Sequence, residues 1–199
     1  MRVYDKSIIV QRRTGGVWEN WKKLLAFVNK TKDSTDSLTF EVRYTQSIRE
    51  IFSYLEDFLI LYRGDIFLID DYDDFMEQHQ TVRLKASVLR IGRLTATLTI
   101  LQKIFTKDEN GFKSHTLKPV ATVPCYRERR NGSLKWTNDA TFAEATDLFQ
   151  FRAVPEIPFS TDYVIECDGE RFTPLSVDDI KGRGIYIQTP ARKVVSTVG

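Results

Sequence analysis

Four aspartates, Asp70, Asp71, Asp73 and Asp74, crowd into one short stretch of the chain. Converging carboxylates can hold a divalent cation or serve a two-metal nuclease. Here no companion His or Glu constellation goes with them. The simpler reading is a solvated turn after a strand, used as an acidic docking patch against a basic face of another protein. A second group is basic: Arg127, Arg129, Arg130, Lys135 and Trp136 fall within one predicted loop. Cations with an interleaved aromatic suit either a protein interface or contact with phosphates that does not read base sequence. The remaining chemistry-bearing residues are sparse. Cys125 and Cys167 flank apolar segments and read as buried structural thiols. His79 and His115 fall in apparent turns, and no zinc-type spacing exists. The sequence therefore predicts no catalytic residue, no cofactor and no metal.

The elements that carry these residues read mostly as strands. Ser7–Arg12, Lys23–Asn29, Thr39–Tyr44, Asp65–Ile69 and Thr81–Ala86 alternate or run apolar between turn formers such as Gly15-Gly16 and Arg63-Gly64-Asp65. Ser47–Leu61 reads as a short helical turn leading into a strand. After a linker around Arg90–Arg93 the order repeats with Thr97–Lys103, Val120–Arg127, Leu148–Val154, Tyr163–Cys167, Arg171–Val177 and Ile185–Gln188. A short helix over Asp139–Thr146 is predicted within the long interval 127–147.

An ungapped alignment of Glu56–Phe75 on Thr161–Ile180 gives six identities in twenty positions, Gly64 with Gly169 and Phe67 with Phe172 among them. Phe40–Arg43 matches Phe149–Arg152, and Ile9–Arg12 matches Ile100–Lys103. The paired glycines predict tight turns, the paired phenylalanines core positions. Trp18 and Trp21, with Phe112 and Leu117 in the equivalent region, predict core or interface anchors. The expectation is two modules, residues 1–92 and 93–199, the second distinguished by its long loop.

Tyr126-Arg127-Glu128, Gly132-Ser133, Lys135-Trp136, Ala140–Thr146, Phe149–Arg152, Cys167–Phe172 and Ser176–Gly184 together resemble the head-tail adaptor or head-closure (stopper) proteins of long-tailed bacteriophages. The resemblance runs in order through residues 96–195 and is looser in the first half. It implies a mainly β fold of two small antiparallel β-barrels in tandem, with short helical segments in the loops. It also implies a structural role without catalysis. That role is a homo-oligomeric ring below the portal or adaptor protein that closes the DNA channel, contacts packaged double-stranded DNA and docks tail proteins at the head-tail junction of the virion, after assembly in the bacterial host cytoplasm. Two alternatives stand beside it, an oligonucleotide-binding β-barrel and a tail-terminator-type structural protein.

Composition sets the outer limits. The chain has 199 residues, 42% hydrophobic and 28% charged, enough to bury a core. Its net charge of +2 gives no chain-wide attraction to nucleic acid or an anionic membrane, so any basic surface must be local. No apolar run approaches the roughly 20 residues of a membrane span, and the start, MRVYDKSIIVQRR, has charges where a signal peptide would be apolar. Both thiols are accordingly expected reduced, and no membrane partner is expected.

Overall fold

The computed structural model describes residues 3–30, 36–74, 80–107, 113–129 and 144–194. The chain divides into two compact units, Met1–Arg90 and Ile91–Gly199. The division falls two residues before the expected boundary, because Gly92 packs with the second unit. Its N–H donates to Gln150 Oε1 at 2.7 Å, and a methyl group added at its Cα would meet the Tyr126 ring at 2.2 Å.

The first unit contains β1 (Lys6–Thr14), β2 (Val17–Lys30), β3 (Ser37–Arg43), helix α1 (Arg49–Ser53), a 3-10 turn (Leu55–Asp57), β4 (Phe58–Tyr62), β5 (Asp65–Asp74) and β6 (Thr81–Val88). The strands close into an antiparallel barrel in the order β1-β2-β3-β6-β5-β4. Alternation explains the core: Ile8 and Val10 of β1, Phe40 and Val42 of β3, and Val82, Leu84 and Ala86 of β6 all point inward and are buried. Phe40 meets the edges of Tyr62 and Phe67 at 5.6 and 5.3 Å. Ile48 and Ile51, brought in by α1, complete the same cluster. The helical turn leading into a strand is thus realised at α1 and β4.

The second unit contains β7 (Ala96–Lys107), β8 (Lys113–Arg129), β9 (Asp147–Arg152), β10 (Val164–Cys167), β11 (Glu170–Pro174), β12 (Asp178–Asp179), a 3-10 turn (Ile180–Gly182) and β13 (Tyr186–Lys193). The sheet runs β11-β10-β7-β8-β9-β13-β12, and pairing of β11 with β13 closes six strands into a second ring. Leu98, Ile100, Phe149, Phe151, Ile165 and Phe172 fill it. The ring order β7-β8-β9-β13-β11-β10 has the same connectivity as the first barrel.

The paired glycines occupy matching turns. Tyr62 pairs with Asp65 across Arg63-Gly64, and Cys167 pairs with Glu170 across Asp168-Gly169. All four loop residues have positive φ: 54° and 88° in the first turn, 53° and 74° in the second. Two such residues make a type I′ hairpin, whose twist suits the flanking strands and which glycine enters without strain.

Two expectations need correction. Asp70–Asp74 do not form a turn after a strand but continue β5, in register against Lys85, Leu84, Arg83 and Val82 of β6. Arg127 and Arg129 likewise belong to the end of β8, paired with Phe149 and Asp147, rather than to a loop. In both places the element is extended by its ladder to the following strand, which charged residues in the sequence do not announce. Arg130, Lys135 and Trp136, with most of the predicted helix over Asp139–Thr146, lie outside the described residues, as do Phe112 and His79.

Candidate functional site

The charged centre of the second unit is Arg127. Its side chain is only 7% exposed, and its guanidinium donates to three carboxylates: Asp147 at 2.8 Å from Nε, Asp168 at 2.8 Å from Nη1 and Glu170 at 2.7 Å from Nη2. β9 supplies Asp147, the β10–β11 turn Asp168, and β11 Glu170. The guanidinium also lies over the Phe172 ring at 4.8 Å and the Phe149 ring at 5.8 Å. Burial by itself would lower its proton affinity, but the three carboxylates prevail and raise it, so Arg127 stays charged. Glu170 responds in kind. Lys193 first, and then Arg127, hold its carboxyl down at about 2.

This geometry consumes the cation. Arg127 ties β8, β9 and the β10–β11 hairpin together, and its donors are unavailable to phosphates. The reading of Arg127 as a loop or channel cation is therefore replaced by one in which it anchors β8 to β9 and to the β10–β11 hairpin. Arg129 is exposed at the end of β8. No local pattern announced the cluster, since the Arg127 partners lie 20 to 43 residues away. The alternation of β8 could have hinted at it: Cys125 is buried, so Arg127, two residues on, shares the inward face.

The aspartates of β5 are met by cross-strand cations and do not converge. Lys85 donates to Asp71 Oδ2 at 2.7 Å, Arg83 lies 3.8 Å from Asp73, and the Ser87 hydroxyl donates to Asp70. The hydrogen bond from Lys85 lowers the proton affinity of Asp71. Asp74 ends the strand opposite Val82. A divalent cation needs carboxylates aimed at one point, whereas these are spread along a ladder. Among the described residues no group of three or more His, Cys, Asp and Glu is placed to hold a metal ion. Asp70, Asp71 and Tyr72 are exposed, and Tyr72 stacks on Phe52 at 4.1 Å with the rings nearly parallel. The region is an acidic surface with an aromatic centre.

Cys125 and Cys167 are free and buried. Burial, and then the neighbouring Cys167, push the Cys125 thiol up to about 12. Burial likewise raises Cys167. Trp21 packs edge-on against Phe58 at 5.1 Å, as an anchor should, while Trp18 is half-buried near the β1–β2 turn. His115 is exposed on β8, with the Phe105 ring 5.9 Å away.

The predicted strands stopped short of one feature. β7 and β8 run past the barrel as a two-stranded ribbon: β10 pairs with β7 only as far as Leu101, and β9 meets β8 only from Cys125 onward. Residues Gln102–Thr106 therefore pair with Ser114–Lys118 alone. Phe105 is 68% exposed and Ile104 39% exposed on this ribbon. The apolar residues Ile104, Phe105 and Leu117 were the sequence signal, masked by the lysines among them.

No curated protein matches the chain. Among solved structures, a chain described as "Virion of native gene transfer agent (GTA) particle" is similar at 18% identity and a TM-score of 0.37, covering 53% of this chain and 100% of that one. The model of the phage head completion proteins matches residues 89–194, a span that takes in every strand of the second barrel. The chain belongs to the phage head completion protein family.

Proposed function

We propose that this protein is a structural component of the head-tail interface that assembles as a ring below the portal or adaptor, closes the DNA channel after packaging and docks the tail. The observation that carries the reading is the family match over the whole second barrel, residues 89–194. The architecture supports it. The Arg127 cluster is spent in strand-to-strand ties, which suits a protein that acts by shape and contact. The first barrel shares the strand order and the type I′ turn of the second, which supports descent of both from one duplicated module. With two barrels in one chain, one can face the portal side and the other the tail side.

The test is deletion of the gene in the producing phage or particle. The expected result is heads that package DNA but fail to retain it and carry no joined tails, restored by the gene in trans. Fully infectious tailed particles from the deletion, or purified particles that lack the protein, would overturn the proposal. Cryo-electron microscopy that found both barrels in one layer with equivalent contacts would remove the division of sides.

A further inference from the structure

The β7–β8 ribbon ends in a face with no cover. A bulge at Ile100/Leu101 shifts the alternation, so Leu101, Lys103 and Phe105 share one face with Leu117 and His115 across the ladder. This face continues from buried Leu101, beyond the point where neighbouring strands stop, and its most prominent side chain, Phe105, is largely in water. Lys107 and Lys113 form the last cross-strand pair. In the first unit β1 stays paired with β4 as far as Arg12, where Arg12 meets Glu50 at 2.9 Å and Trp21 packs against Phe58.

The same chain carries a complementary surface. On the first unit, Tyr44, Arg49, Phe52, Tyr72, Asp73 and Asp74 line an open recess of about 550 Å3. It has the stacked Phe52–Tyr72 pair as an apolar wall, with Asp73 and Asp74 among its lining. We infer that the ribbon of one copy docks on the β5 face of a second copy, with Phe105 in the aromatic recess and Lys103 against the aspartates.

Three arguments select this occupant. Exposed Phe105 gains by burial against apolar partners, which a phosphate backbone does not provide. Two ribbons meeting face to face would bring lysines together, so a like-to-like contact is disfavoured, whereas aspartates oppose them favourably. Lysines on the free edges also discourage strand addition, leaving the face as the contact. Unlike surfaces on each copy make a heterologous contact, the type from which closed rings are built. The inference rests on the ring assembly proposed above and names its two faces.

Two variants of the full chain test it, Lys103→Glu/Phe105→Ser and Asp73→Asn/Asp74→Asn, followed by sedimentation velocity, with melting curves to verify that each remains folded. The wild type should self-associate with rising concentration, and each variant should do so at least about tenfold more weakly. Mixed one to one, the variants should form heterodimers that grow no further, because each retains one working surface. Variants that assemble like wild type would overturn the docking while leaving the ring intact, as would loss of DNA retention without loss of assembly, which would assign the ribbon to nucleic acid. A single copy per purified particle would instead remove the ring reading itself.

Discussion

Replacing Arg127 with leucine should unfold the second barrel selectively. Arg127 and Asp147 form an almost enclosed pair, with side chains 7% and 5% exposed. Removing the cation leaves Asp147 buried without its guanidinium. Breaking a buried pair from one side costs about 3–5 kcal/mol, since the remaining charge keeps its desolvation penalty and loses its compensation. Asp168 is 60% exposed and returns to water at little cost, so the bond to it adds little. Glu170 keeps its bond to Lys193, so the loss should be set chiefly by Asp147. For a unit of this size, about 4 °C accompanies each kcal/mol, so its melting transition should fall by about 12–20 °C. Differential scanning calorimetry of the full chain is the assay, with the first unit's transition serving as internal reference. Arg127→Leu combined with Asp147→Leu should recover at least half of the loss, because an apolar pair of similar volume needs no compensation. A loss below about 1 kcal/mol for the single variant, or a double variant no better than the single, would refute the reasoning.

Acid should act on the same cluster through Glu170. Its folded value of about 2 lies below the ordinary 4.5, so its contribution is complete above pH 4.5 and disappears as the pH falls from there toward 2; melting of Glu170→Gln across that window should show a shallower acid decline than wild type. The two thiols should resist an aromatic disulfide reagent at pH 8 in the folded protein, because Cys125 ionises only near 12, and both should react once the chain is denatured; rapid labelling of native protein would contradict the burial. Gly92→Ala should destabilise the second unit by about 1–3 kcal/mol, since its new methyl would overlap the Tyr126 ring. Adding Tyr126→Ser should relieve that clash in the same melting experiment.

How much of this was legible in the sequence depended on the range of the interactions involved. The turns at Gly64 and Gly169 were legible because glycine is selected locally by a positive φ, and the alignment fixed both at once. Phe67 and Phe172 followed from their place three residues later in an apolar strand, and both are buried. Strand lengths were less accessible. β5 reaches Asp74, and β8 spans Lys113–Arg129, because the strands before and after them continue the ladder through residues whose own preferences are neutral. Arg127 was the costliest misreading. A run of arginines looks like surface, and only the arrival of Asp147, Asp168 and Glu170 from later strands turns one of them inward.

The last strand of each ring has a consequence for synthesis. β6, ending at Val88, joins β3 to β5 and completes the first barrel while much of the chain is still to be made. β13 is the matching clasp of the second: it holds β9 along Tyr186–Ala191 and takes β11 only at Ala191–Lys193. Until Lys193 has left the ribosome, β9 and β11 present unsatisfied edges while the first barrel is already closed. The translating chain therefore passes through a half-finished stage, in which one barrel is sealed and the strands of the other are open to aggregation and proteolysis.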